Sequence, residues 1–184
     1  MSFDFSAFLK SELPPAAQRW SAFPEYNFVG GHNHADGVPA ADLAAAAQQV
    51  LSREGSTLAT YWLDSGPQGY RPLREFVAAK LKSRAGLACS ADEILITSGS
   101  LQALDLVNAL LIEAGDTVIV EAATYGGALT RLRKLGTNYV GVELDQDGMR
   151  PDALAAVLDD LAAQGRKPKF IYTIPTVQNP TGTV

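Results

Sequence analysis

Three short segments of this chain combine residue types and spacings that could do chemistry. They are Ser98-Gly99-Ser100-Leu101-Gln102, Ala123-Thr124-Tyr125-Gly126-Gly127 and Asn179-Pro180-Thr181-Gly182. The first follows an apolar run and opens a helical pattern. Backbone N–H groups at a helix start point outward unpaired, and the helix dipole favours an anion there. Gly99 permits close backbone approach, and Ser100 and Gln102 can add side-chain donors. This is chemically a phosphate cradle; the plainer reading is a helix cap in which Ser100 satisfies its own helix. It is neither a Walker loop, which ends Gly-Lys-Ser/Thr, nor a dinucleotide fingerprint, which needs three spaced glycines. In the second segment Tyr125 either stacks on a planar ligand, with two glycines leaving room, or packs at a helix start. In the third, Asn179 either donates a hydrogen bond to a ligand oxygen or, with Pro180, simply starts a turn.

Other chemistry-bearing residues are weaker candidates. Tyr61 and Tyr70 flank a glycine-rich loop that enters a helix with Leu73 and Arg74, so either tyrosine reaches a phosphate or packs. His32, His34 and Asp36 suggest metal ligands, but their spacing defines no zinc site and no second ligand cluster exists, so no metal is expected. A substrate-lining or solvated loop suits them better. The single cysteine, Cys89, reads as small packing and fits a reducing compartment, hence a cytoplasmic protein.

The elements that must position these residues are legible as periodicities. Residues to about Gly37 are irregular and aromatic-rich. Pro39 opens an alanine-rich helix to about Arg53, with an apolar stripe of Leu43, Ala47, Val50 and Leu51. A second amphipathic helix runs from Pro72 to Arg84, with Gly86 beyond its end. Apolar strands are then expected at Glu93–Thr97, Thr117–Val120, Tyr139–Val142 and Lys169–Thr173. Helices are expected between them at Leu101–Glu113, Tyr125–Leu135 and Pro151–Ala163. Strands apolar throughout are buried on both faces, and such alternation makes a mainly parallel α/β sheet between helices. Ligands in such sheets bind beyond the strand carboxyl ends, which selects Ser98–Gln102, Glu121–Gly127 and Pro175–Gly182. The expected division is an N-terminal arm and small-domain segment, 1–60, and the first part of a large domain, 61–184.

Composition bounds the function. With 184 residues, 47% hydrophobic and 19% charged, the chain can bury one sizeable core. A net charge of −5 leaves no basic footprint for nucleic acid or an anionic membrane. No apolar run reaches the length of a membrane span, and the first residues lack the pattern of a signal peptide.

Taken in order, these pieces resemble the class I/II aminotransferases, pyridoxal-phosphate (PLP) enzymes of fold type I. The likeness extends upstream to Phe28-Val29-Gly30-Gly31 and to Tyr61, Gly69, Leu73 and Arg74, and covers about residues 27–184. It is nearest the branch of 2-aminoadipate and kynurenine aminotransferases. The resemblance implies transfer of an amino group from an amino acid to a 2-oxo acid. It implies that Gly99, Ser100, Leu101 and Gln102 hold the PLP phosphate, that Tyr125 stacks on its ring, and that Asn179 bonds its phenolic oxygen. It further implies that Tyr61 reaches the phosphate of a partner subunit, hence a homodimer, and that Gly31 lies near the substrate carboxylate. The family's Schiff-base lysine, its pyridine-pairing Asp and its carboxylate-clamping Arg lie beyond the Asn-Pro-Thr-Gly turn. No catalytic residue is therefore assigned, and none of Lys10, Lys80, Lys82, Lys134, Lys167 or Lys169 is expected to serve. The expectation is the N-terminal part of an aminotransferase, completed by a C-terminal half. The alternatives are a fragment acting only by association, or a PLP lyase or synthase of the same fold.

Overall fold

A computed structural model of the chain describes residues 4, 6–9, 22, 25–26, 34–60 and 65–184, with only the backbone of residues 35 and 58. The chain divides into two compact units, Met1–Tyr61 and Trp62–Val184. In the first, helix α1 spans Ala40–Glu54 and runs into a 3-10 turn at Gly55–Ala59. Pro39 stands just before it, as expected for a residue without an N–H to satisfy. The helix buries none of its residues, so Leu43, Val50 and Leu51 of the expected stripe are exposed.

The second unit is built on a parallel sheet. Helix α2 (Arg71–Ala85) and helix α3 (Ser100–Leu111) precede strand β1 (Thr117–Glu121). Helix α4 (Gly126–Lys134) leads to β2 (Asn138–Val142). A hairpin of β3 (Leu144–Asp145) and β4 (Gly148–Met149) comes next, then helix α5 (Pro151–Ala163) and β5 (Pro168–Tyr172). The strand order is β2-β1-β5, with β1 parallel to both neighbours. Every residue of β1 is buried. Its alternating side chains face two cores. Val118 and Val120 pack with Leu132 of α4, while Ile119 packs with Val142 and with Leu161 of α5. Each such side chain taken from water contributes about 1.5–3 kcal/mol, which holds the sheet between its helices.

The connections make β1 a switch point. From β1 the chain passes through α4 to β2 on one side; from β2 it passes through α5, on the opposite face, to β5 on the other side. Chains diverging this way leave a crevice at the strand carboxyl ends.

One expected strand is absent. Glu93 ends a 3-10 turn, Ala91–Glu93, and residues 94–97 run on without a ladder. Ile94 has extended backbone angles, but the bond made by Ile96 N–H goes to Gln68 O, 2.8 Å away. An apolar run becomes a strand only where a neighbour accepts its backbone groups, and among the described residues none lies alongside. The β3–β4 hairpin was not anticipated, because two-residue strands carry no period; Asp147 N–H donates to Asp145 Oδ1 across its turn.

The loop before α2 is tied down by Arg74, which is 1% exposed. Its guanidinium donates to Gly69 O (3.0 Å), Ala91 O (2.6 Å) and Ser65 O (2.6 Å), and stands 3.5 Å from Asp92. Three carbonyls from two loops fill the rigid fork, so Arg74 joins residues 65–69 to residues 91–92.

Candidate functional site

The candidate site lies where β1 and β5 end and where α3 and α4 begin. Gly99 is the residue before α3, with φ +84° and ψ 169°, and no side chain caps the helix. Ser100 therefore does not satisfy its own helix. The first helical bond is that of Ala103 N–H to Gly99 O. The N–H groups of Ser100, Leu101 and Gln102 precede the first helical bond, as the opening of an α-helix requires. The space into which a Cβ on Gly99 would project is open. Gln102 turns back, its Oε1 accepting from Ser98 N–H at 2.5 Å, so its carboxamide oxygen closes the turn. Helix α3 is anchored to α4 by an ion pair of Asp105 and Arg131 at 2.7 Å.

Tyr125 is half-buried and precedes α4. Its ring lies against Gly127: a Cβ there would come within 2.5 to 2.7 Å of ring carbons and the phenol oxygen. The ring can hold this position only because residue 127 has no side chain.

Asn179 is exposed on a loop whose preceding residue is locked. Gln178 is 3% exposed. Its N–H donates to Thr183 O (2.8 Å) and its carbonyl accepts from Gly182 N–H (2.7 Å). Its Oε1 accepts from both the N–H and the hydroxyl of Thr181, each at 2.8 Å. Its Nε2 donates to Glu121 Oε2 (2.8 Å) and Ala123 O (2.7 Å).

Glu121, the last residue of β1, is the hub of the site and is 2% exposed. Oε1 accepts from the Thr173 hydroxyl (2.7 Å) and from Ile174 N–H (2.9 Å). Oε2 accepts from Gln178 and from the Thr124 hydroxyl (3.1 Å). Burial pushes its carboxyl up, but the donors of Thr173, Gln178, Ile174 and Thr124 outweigh burial and hold it below the ordinary value. Burial, then the Glu121 carboxylate, then Tyr125 push the phenol of Tyr172 up. A cavity of about 380 Å³, lined by Ala122, Ala123, Glu143, Leu144 and Thr181, opens at the same end of the sheet.

No family model matches the chain. Over 156 residues it is 35% identical to an aromatic-amino-acid aminotransferase of Thermococcus litoralis, covering 85% of this chain and 37% of that protein. It is 37% identical to a 2-aminoadipate transaminase of Thermus thermophilus, again over 156 residues, 85% of this chain and 36% of that one. Among solved structures, it matches α-aminoadipate aminotransferase from Thermus thermophilus, complexed with N-(5'-phosphopyridoxyl)-L-leucine. There the TM-score is 0.72 and the identity 37%, over 85% of this chain and 37% of that one. A multiple substrate aminotransferase from Thermococcus profundus gives a TM-score of 0.75 at 33% identity, over 84% and 38% of the two chains. The chain is homologous to part of the PLP-dependent aminotransferases. It spans little more than a third of the length of those relatives. Its parallel sheet flanked by helices belongs to the fold type I architecture of these enzymes.

Within this aminotransferase portion, the structure joins the Tyr125 and Asn179 loops through Glu121 and Gln178. Gly99, Ser100, Leu101 and Gln102 open the neighbouring helix α3. Tyr61 and Gly31 lie outside the described residues, as does His32; His34 and Asp36 are exposed and 4.0 Å apart. No lysine lies on the loops leaving β1 and β5. Lys80 and Lys82 are on α2, Lys134 ends α4, and Lys169 pairs with Asp116 at 3.3 Å, at the amino end of the sheet. Glu121, Gln178 and Arg74 were not singled out as functional by their sequence context. For Glu121 a signal existed: an acidic residue closing a wholly apolar strand must be buried and must find donors.

Proposed function

We propose that this chain is the part of an aminotransferase that receives PLP, in an enzyme moving an amino group from an amino acid to a 2-oxo acid. The observation that carries this reading is the start of α3. Gly99 holds a left-handed backbone, no side chain caps the helix, and open space stands where a Cβ would project. Outward N–H groups at a helix start with room before them fit a phosphate. Ser100, Leu101 and Gln102 would hold that phosphate through their amides. Tyr125, its ring placed by Gly127, would stack on the pyridine ring. Asn179, on the loop clamped by Gln178, would donate to the phenolic oxygen and favour its ionised form. Bound PLP supplies the electron sink for chemistry at an amino acid α carbon.

On the same reading residues 1–60 are the arm and small-domain segment and 61–184 the first part of the large domain. Tyr61 would reach a phosphate across a homodimer, and Gly31 would line the substrate carboxylate site. No catalytic residue is assigned, and none of the lysines of this portion is proposed as the amine that reacts with PLP. A cytoplasmic location accords with the single cysteine.

The test is a titration of the purified chain with PLP, followed by visible absorbance and by quenching of tyrosine and tryptophan fluorescence. Saturable binding is expected, and Gly99→Ala should weaken it about tenfold, because a Cβ at this φ forces the turn to move. Absence of saturable binding would overturn the reading, and an unchanged Gly99→Ala affinity would remove the cradle from it.

A further inference from the structure

We propose that Glu121 is a positioning residue: its buried carboxylate ties the Tyr125 loop to the Asn179 loop, so that the two candidate cofactor contacts are placed as one unit. The inference rests on the PLP reading for its consequence, but the linkage stands on geometry alone. Four groups converge on the two oxygens of Glu121 at 2.7 to 3.1 Å. Thr124 immediately precedes Tyr125. Thr173 and Ile174 directly follow β5, and Gln178 immediately precedes Asn179. Three chain segments, lying up to 57 positions from Glu121 in sequence, thus meet on its one side chain.

Gln178 makes the linkage stiff. Its Nε2 is shared between Glu121 Oε2 and Ala123 O, so it contacts the Tyr125 loop directly as well. Its Oε1 accepts twice from Thr181, on the far side of Asn179. Asn179 is therefore bracketed by residues that hold each other. Among the described residues no Lys, Arg or His forms an ion pair with Glu121. A buried carboxylate without a cation depends on its hydrogen-bond donors, so moving either loop would uncover a charge. Both loops are held by the same need, and β1, buried along its whole length, holds Glu121 itself.

The experiment uses the 184-residue chain and Glu121→Gln, which keeps the shape but replaces one acceptor oxygen by a donor. Amide hydrogen exchange should quicken about tenfold at Ala128 and Leu129, whose N–H groups donate to Tyr125 O, and at Gln178, Thr181 and Gly182 together, while Val118 and Val140 in the ladder stay protected. Exchange quickened in one loop only would overturn the linkage. The second arm measures PLP affinity in a double-mutant cycle. Asn179→Ala should weaken PLP about fivefold in the parent chain and about twofold or less beside Glu121→Gln, while Gly99→Ala keeps its full effect in both. An Asn179→Ala effect undiminished by Glu121→Gln would overturn the positioning role; a general structural role would weaken the Gly99→Ala effect as well. If the parent chain fails to bind PLP, the functional reading fails and the exchange arm alone decides the linkage. Should Glu121→Gln lose protection throughout, Gln178→Leu takes its place. It must loosen both loops, and loosening residues 178–182 alone would sink the proposal.

Discussion

At the scale of single residues, a buried carboxylate that four donors satisfy is the feature with the largest consequence. Glu121→Gln presents an NH2 to groups that themselves donate, so at least one buried donor loses its acceptor. That costs about 1–3 kcal/mol, and denaturant unfolding should show it as a lower midpoint with unchanged slope. The same residue sets a pH dependence. Its folded carboxyl lies below the ordinary value, which is about 4.3 for an unfolded glutamate. The unfolded chain therefore binds the proton first, and Glu121 contributes its stability fully above the unfolded value. That contribution is lost as pH falls below it, through the folded value. Stability measured between about pH 3 and pH 6 should fall more gently on acidification in Glu121→Gln than in the parent, since the variant has no proton to take up there. Equal slopes would mean that Glu121 is not held as the structure shows. Along the sequence the place of Glu121 at the end of an apolar strand signals its burial, but not which groups satisfy it. Glu121 reads there as the residue closing a strand, and Gln178 as one letter beside an Asn-Pro pair. The partners that tie the two loops together lie more than 50 positions apart in sequence.

At the scale of elements, most of the scaffold was legible because period and punctuation agree. Pro151 opens α5 and Ala163 closes it, β1 reads as a continuous apolar run, and α2 ends at a left-handed Gly86. The site turns were legible for the same reason, since glycine marks them. What the glycines do is a matter of distance, and two of them should respond oppositely to alanine. At Gly127 the obstacle is the Tyr125 ring, a side chain that can swing away, and alanine favours a helix by about 1 kcal/mol over glycine. Gly127→Ala should thus leave stability within about 1 kcal/mol of the parent while displacing the ring, weakening PLP binding and altering the near-ultraviolet circular dichroism. At Gly69 the obstacle is Ile96 Cβ at 2.8 Å, next to backbone, and φ is +100°. There nothing yields cheaply, so Gly69→Ala should destabilise by about 1–3 kcal/mol. Thermal unfolding of the two variants side by side decides it: a Gly127→Ala loss as large as that of Gly69→Ala would mean that the Tyr125 ring is fixed by more than Gly127.

At the scale of the whole molecule, the burial pattern of α3 runs opposite to its composition. Leu106, Val107, Leu110 and Leu111 fall on one face of the helix, at spacings of one and four, and all are exposed, Leu110 at 84%. The residue α3 buries is Asn108, 1% exposed, with neither amide atom bonded to another group of the protein. Nearby in sequence, Leu95 and Ile96 are exposed on the extended run that has no ladder partner. The apolar pattern that predicts a strand at 93–97 and a packed helix at 101–113 is thus a correct reading of hydrophobicity whose covering layer is not supplied by the described residues. An apolar helix face and an unpaired extended segment both favour association. The chain should therefore sediment with a concentration-dependent mass above that of the 19.5 kDa monomer. Val107→Lys with Leu110→Lys, two exposed positions whose charging removes no buried contact, should shift it toward the monomer without lowering the unfolding midpoint. A parent chain that stays monomeric at every concentration would show that this face is tolerated in water as it stands, and would remove the ground for a second chain covering it.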